Sequence, residues 1–409
     1  MGYFVEQSNK KKFFINHINL YRNTLFTCII LFIYIVGSNI PLIPMDSLNK
    51  ADHFYQIAAA NMGGDVTFIN LFSLGLGPWL TAMLFISLYY YKQSNSSIKR
   101  TKRERQRIEK VLMLIISIFQ AFMIAFTLLP HDDRAIGKIV LIMLVLVAGS
   151  FMLVWLADQN ALYGLAGPMP IVAISVVKSI FRQGLIKAHF GTFVITIIAL
   201  ITLVIVISII FMELSVLRLP YIDMLSVTKH YVTPEVTWKL NPSSSLSIML
   251  SVSLFLLLKH VYDFVVHFLH IGILSRFDLF TFAHIYGIVT FMLLLFWLSY
   301  NLSMLMLNPE RKANEFKRNG NYFAHIEPGK QTAQFLKKKA RHVSFIGAIF
   351  VVLCIGIPLI LTLLLPDLYK EIYLAIQVII LIFIGFNIKE TINTYLYFDQ
   401  YKVFLKKYW

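Results

Sequence analysis

The chain has 409 residues, 58% of them hydrophobic, with a mean hydropathy of +0.70. That composition excludes an ordinary soluble globular protein and places the chain among polytopic membrane proteins. Only 14% of residues are charged, yet the net charge is +16, so the basic surplus belongs in loops that meet anionic lipid or an acidic partner, not at the bilayer centre.

Lys10, Lys11 and Lys12 lie in a basic amphipathic start that reads as a surface helix on the cytoplasmic leaflet. Arg22 leads into a first span at about 23–43, which ends Tyr34-Ile35-Val36-Gly37-Ser38-Asn39-Ile40-Pro41. No small-residue cleavage pattern follows this run, so no cleavable signal peptide is expected. Cys28 and Cys354 both fall in apolar runs, which argues against a disulfide or a zinc site. Residues 44–60 are polar and mildly acidic, with Asp46 and Asp52, and suit the outside. The next stretch, Asn61, Met62, Gly63, Gly64, Asp65, Val66, Thr67, Phe68 and Ile69, is too short and polar to cross a bilayer, which takes about 20 apolar residues. It runs directly into a second span at about 73–91 that opens with Gly75, Gly77 and Pro78. Broken backbone at membrane depth is tolerated only where it lines a cavity or is buried in protein. A surface loop before an ordinary span is the alternative at this point.

Lys99, Arg100, Lys102, Arg103, Arg105 and Arg107 make 92–110 a dense basic loop, hence cytoplasmic, and this fixes the N-terminus inside two spans earlier. Span three (about 108–129) contains Phe119-Gln120-Ala121, and residues 131–134 turn outside. Span four (about 136–158) ends Trp155-Leu156-Ala157-Asp158-Gln159 and is followed by Gly164-Leu165-Ala166-Gly167-Pro168. Span five (about 168–186) carries Lys178 and Arg182 near its outer end, and span six (about 191–213) ends at Glu213. An inner loop, 214–240, holds Arg218, Lys229, Tyr231 and Trp238. Lys239-Leu240-Asn241-Pro242 and the run Ser243-Ser244-Ser245-Leu246-Ser247 open span seven, which ends near Lys259. His260, His267 and His270 follow; His267 and His270 fit one helix face, but no fixed ligand set accompanies them, which favours interfacial histidines over a metal site. Span eight (about 281–306) precedes the long loop 308–341. That loop is strongly basic: Arg311, Lys312, Lys317, Arg318, Lys330, Lys337, Lys338, Lys339 and Arg341, with Glu327 at its tip before Pro328-Gly329. Spans nine (about 343–364) and ten (about 372–396) complete ten, with both termini inside.

Leu74-Gly75-Leu76-Gly77-Pro78-Trp79-Leu80 behind the glycine pair resembles the second transmembrane element of the SecY protein-conducting channels. So do the tyrosine, glycine and Ile40-Pro41 of span one, the Phe119-Gln120-Ala121 triplet, the end of span four and Glu213. Asn308-Pro309, Lys317-Arg318, Gly320, Pro328-Gly329 and Thr332-Ala333 in the long loop also fit, as does the tail around Gln400 to Lys407. Each motif is weak alone; their order and spacing carry the resemblance over nearly the whole chain.

The resemblance implies an all-α polytopic fold of about ten transmembrane helices in two pseudo-symmetric halves, 1–190 and 191–409. It implies a plug at 61–70, and a lateral gate between spans two and seven that the span-seven serines would soften. It also implies an apolar pore ring that seals by dewetting. Position-matching nominates Leu76 and Leu80, Met249 and Ile380 for the ring, with Met169 and Ala173 weaker because Ala173 is small. The loop 308–341 would receive a motor. Departures at Ile35, Leu214, 164–168, 243–247 and Glu327 look most like the accessory SecY of Gram-positive bacteria, which works with an accessory SecA ATPase and accessory Sec proteins to export serine-rich glycosylated adhesins.

The expected setting is the plasma membrane, with preprotein, lipid and SecE/SecG-like small subunits as partners, and no nucleic acid, metal or cofactor. No HExxH, nucleotide loop or paired acids mark an enzyme. A divergent housekeeping SecY is the nearest alternative. A secondary transporter or flippase is a more distant one, since the mid-span polar residues Gln120, Asn301 and Gln377 bring no charge pair.

Overall fold

A computed structural model describes residues 18–42, 53–65, 69–92, 101–128, 136–182, 192–224, 234–269, 280–282, 284–365 and 368–406. Lys10–Lys12, Asp46, Asp52, Val66, Thr67, Phe68, Lys99, Arg100, the turn at 131–134, Lys229, Tyr231, His270 and Lys407 lie outside that set. The helices are α1 (Ile18–Ser38), α2 (His53–Ala60), α3 (Gly77–Lys92), α4 (Lys102–Leu128), α5 (Ile136–Tyr163), α6 (Met169–Arg182), α7 (Thr192–Leu214), α8 (Ser244–Leu269), α9 (Ile285–Leu307), α10 (Pro309–Asn319), α11 (Lys330–Leu364) and α12 (Tyr369–Lys406). Among the described residues, α1, α4, α5, α8, α9, α11 and α12 are long and apolar enough to cross a membrane. The spans read from sequence as two, five and six correspond to shorter apolar helices: α3 has 16 residues, α6 has 14, and α7 is apolar over Ile198–Leu214. This is an all-α polytopic membrane fold.

The chain packs as two units, one of Met1–Tyr90, Asn95–Leu185 and Leu381–Trp409, the other of Tyr91–Ser94 and Ile186–Ile380. In the first, α4 packs along α5, and α1 lies against α5 and α6. The segment before α3 is pinned onto them by an apolar cluster of Ile69, Leu74, Ala121, Ile124, Ala125, Ile142 and Leu146. Gly149 lets α5 approach this segment closely, because a Cβ there would stand 1.8 Å from the Leu71 carbonyl oxygen. The end of α5 is tied down by Asn160, whose amide donates to the carbonyls of Leu165 (2.9 Å) and Gly167 (2.6 Å) while its oxygen accepts from Thr27 of α1 (2.9 Å).

In the second unit α9 lies between α8 and α11. Ser243, just before α8, donates to the Ser299 carbonyl (3.2 Å) and is 2.7 Å from the Ser303 hydroxyl, both on α9. The serine at the mouth of span seven therefore binds span eight. The two inner loops read from sequence are ordered structure in large part. Strands β1 (Val216–Pro220) and β3 (Glu235–Lys239) pair antiparallel, and β2 (Ile222–Asp223) pairs with β4 (Asn321–Tyr322). The helix of span nine starts at Lys330, and that of span ten continues to Lys406. The sequence pattern missed both extensions because it followed hydropathy; the first turns of α11 instead bury Thr332, Leu336 and Ala340.

Candidate functional site

A short helix, α2, leads into the half-length segment, and Ala58, Ala59 and Ala60 supply it with strong helix formers. The glycine pair then ends it: Gly63 sits at φ 72°, and the Gly63 and Gly64 amides bond back to the carbonyls of Ala60 (3.1 Å) and Ala59 (2.9 Å). Gly64 and Gly75 are required by close approach. A Cβ on Gly75 would meet the Gly64 nitrogen and the Met62 carbonyl at 2.8 Å each, and one on Gly64 would meet the Ser73 carbonyl at 2.7 Å. The Leu76 amide donates to the Met62 carbonyl at 2.7 Å, so the segment and the start of span two are stitched together at the backbone.

Side chains of α1 and α6 hold the same segment. The Tyr34 hydroxyl of α1 donates to the Gly63 carbonyl (3.0 Å), and the Ser175 hydroxyl of α6 donates to the Gly64 carbonyl (2.9 Å). Lys178 of α6 pairs with Asp65 at 3.3 Å, and Arg182 also pairs with it. Asn70 closes the far side, its amide donating to the Asp65 carbonyl (3.1 Å). Asn61, Met62, Gly63, Gly64, Asp65 and Ile69 are buried; Val66, Thr67 and Phe68 lie outside the described residues. A polar, glycine-rich loop is thus sunk into protein rather than lying on the surface, which removes the surface-loop alternative for its described part.

Of the ring candidates in the first unit, Leu76 is fully buried and lies beneath Gly63: a Cβ on that glycine would come 3.8 Å from Leu76 and 3.4 Å from Ile171. Leu80 is buried one turn on, its amide bonded to the Leu76 carbonyl at 3.0 Å. Met169 and Ala173 are half-buried, one turn apart on α6. In the second unit Met249 on α8 and Ile380 on α12 are both buried.

The loop 308–341 is also a built surface. Asn308 caps α10, accepting from the Arg311 amide, with Pro309 at the first turn and Gly320 (φ 72°) closing the helix. Phe316, Phe323, Leu336 and Ala340 bury themselves with Leu219, Val236 and Trp238 of the strands, and Phe316 stacks on Phe323 at 5.2 Å. This leaves the cations outward. Arg311, Lys317, Arg318, Lys330, Lys338, Lys339 and Arg341 are exposed; Lys312 and Lys337 are half-buried and pair with Glu315 (3.2 Å) and Glu310 (3.5 Å). Glu327 is exposed at the tip, where Gln331 donates to its carboxylate (2.9 Å) and Thr332 to its carbonyl (2.9 Å), anchoring the start of α11.

The SecY family model matches residues 70–389, from the stitched start of span two to just past the middle of α12. The chain belongs to the SecY family. It is 42% identical over 95% of its length, and 98% of the relative's, to the accessory Sec system protein translocase subunit SecY2 of Staphylococcus epidermidis. It is 44% identical over 87% of its length, and 97% of the relative's, to the subunit of the same name from Staphylococcus carnosus. In fold it is similar to a solved protein conducting channel, with TM-score 0.66 and 14% identity over 93% of each chain. A SecY structure described by its plug domain gives TM-score 0.65 and 15% identity over 93% of each chain. The relatives carry the accessory name, as the departures at Ile35, Leu214 and Glu327 suggested.

Proposed function

We infer that this SecY-family chain is the protein-conducting channel subunit of an accessory Sec system, passing signal-bearing preproteins across the plasma membrane under an accessory SecA ATPase. The observation that carries the channel reading is the seating of 61–65 against Leu76, because a glycine-rich segment buried at the head of a pore-lining span fits a removable plug. In this reading Leu76, Leu80, Met249 and Ile380 form the constriction, with Met169 and Ala173 as its weaker candidates. The halves 1–190 and 191–409 are its two sides. Serine-rich glycosylated preproteins are the cargo, and SecE/SecG-like subunits and accessory Sec proteins complete the complex. The chain itself performs no catalysis; the motor supplies the ATP chemistry.

Both termini and the loops 92–110, 214–240 and 308–341 are proposed to face the cytoplasm, on their excess of Lys and Arg. Single cysteines introduced at exposed positions there, such as Arg103 or Lys317, should be shielded from an impermeant thiol reagent added outside cells. Labelling at Arg103 from outside would overturn the topology.

The exposed cations of 308–341 form the motor dock, speeding encounter with an acidic surface in a salt-sensitive way. Glu327 stands where SecY proteins generally have arginine, which repels a motor evolved to meet that arginine. The test is reconstitution of the channel with the accessory and the housekeeping SecA side by side, using the intact protein and Glu327→Arg. The intact channel should export only with the accessory motor, and the variant should shift binding toward the housekeeping one. Equal changes for both motors would reduce Glu327 to a solvated charge contributing under about 1 kcal/mol. Export with the housekeeping motor alone would overturn the accessory assignment.

A further inference from the structure

Lys178 and Arg182 lie one turn apart on α6 and converge on a single carboxylate, that of Asp65. The Asp65 side chain keeps 10% of its accessible surface, Lys178 18% and Arg182 30%, so the cluster is largely withdrawn from solvent. Both cations have a second attachment on the end of α1. Lys178 donates to the Ser38 hydroxyl (2.8 Å) and carbonyl (3.2 Å), and Arg182 donates to the Asn39 side-chain oxygen (3.3 Å). The last turn of α1 carries the negative end of the helix dipole, which favours cations there. Three elements therefore meet at two side chains: α6 supplies the charge, α1 holds it in place, and the 61–65 segment supplies the acid.

We propose that Lys178 and Arg182 form a cationic clasp that holds the plug through Asp65 and sets how readily it leaves. The inference rests on reading 61–69 as the plug. The hydrogen bonds that reach this segment from Tyr34, Ser175, Asn70 and the Leu76 amide are neutral and end on peptide carbonyls. Water entering an opening channel can replace those at little cost. A charge-assisted pair in a dry site is roughly twice as strong as a neutral bond, and water replaces it less well. Because α1 keeps its grip on both cations when Asp65 departs, they stay aimed at the vacated position. Re-seating then orders only one further side chain, which makes the clasp reversible rather than a one-time lock. Lys178 and Arg182 are positioning residues: they act on the cargo path only through the plug.

The experiment measures resting ion conductance of the purified full-length channel in planar bilayers, in a Cys28→Ser background so that one introduced thiol dominates. Asp65→Asn, and Lys178→Gln with Arg182→Gln together, should each raise the resting open fraction about tenfold, the ratio produced by about 1.4 kcal/mol. The triple variant should leak no more than Asp65→Asn, since the cations work through that one carboxylate. Asp65→Cys should leak likewise. Its modification by a sulfonate-bearing thiol reagent should restore the seal, whereas a trimethylammonium-bearing reagent should not, and this comparison is made within one folded protein. Restoration by the anionic reagent alone supports the clasp. Equal effects of the two reagents, or additive leaks in the triple variant, overturn it. If Asp65→Asn is as tight as the parent while deletion of 61–69 leaks, the clasp fails and the plug reading stands; if the deletion is also tight, both fall.

Discussion

Channels lacking residues 61–69 should conduct ions at rest about tenfold or more above the intact protein, while still exporting part of their cargo. Deletion removes the Met62 carbonyl that accepts from the Leu76 amide and the Gly63 backbone that covers the Leu76 side chain. It also strips Tyr34 and Ser175 of their carbonyl partners and leaves Lys178 and Arg182 without Asp65. What remains is an apolar surface around Leu76 and Ile171 open to water, which dewetting alone seals only imperfectly. Export survives in part because α2 and its buried Ala58, Ala59 and Ala60 stay attached and can serve as a makeshift plug. Single-channel recording at rest, paired with a secretion assay, checks both halves of this expectation. Wild-type conductance in the deletion would return 61–69 to a merely structural turn.

The apolar spans were legible because hydropathy acts locally: about 20 consecutive residues suffice to declare one. The glycine pair and the interrupted second element were legible for the same reason, since positive φ at Gly63 and Gly75 needs glycine whatever the rest of the fold does. What stayed hidden is what depends on distant partners. Asp65 looked like a lone acid in a polar segment, and its cations stand on α6, more than a hundred residues on, at the end of what read as an ordinary span. Ser243, one of the serines read as softening the gate at span seven, has its partners Ser299 and Ser303 on α9, more than fifty residues on. The inner loop 214–240 contains strands because Leu219, Val236 and Trp238 alternate into a core completed by Phe316 and Leu336 from the other loop. Leu217, Leu219, Val236 and Trp238 were the available signal, an apolar alternation inside a stretch otherwise read by its charges. Position-matching named the pore ring, and burial alone does not separate a ring residue from a packing residue: Leu76, Leu80, Met249 and Ile380 are as buried as any core side chain.

Polar replacement in the ring makes that separation by experiment. Leu80→Asn and Ile380→Asn should each let the channel accept cargo whose signal sequence is defective. Both side chains are almost wholly buried, Leu80 at 2% and Ile380 at 3% exposure. An amide placed in a dry constriction without partners costs about 1–3 kcal/mol by mutational scales. If the site is a pore ring, that cost falls on the closed state and is relieved when the channel opens and water reaches the amide. The open fraction then rises by roughly ten- to a hundredfold at constant signal strength. If the site is ordinary helix packing, the same cost falls on open and closed states alike. The protein then loses thermal stability without any gain in permissiveness. A secretion assay with normal and signal-defective cargo, read beside a thermal unfolding curve of the same variants in detergent, tells these apart. Permissive export with modest destabilisation assigns the residue to the ring, whereas unchanged discrimination with a lowered unfolding midpoint assigns it to the core. Leu76→Asn is a sharper variant of the same test. Its amide would lie directly beneath Gly63, so the closed state would bear both the unpaired polar group and a disturbed plug seat, and its leak should exceed that of Leu80→Asn.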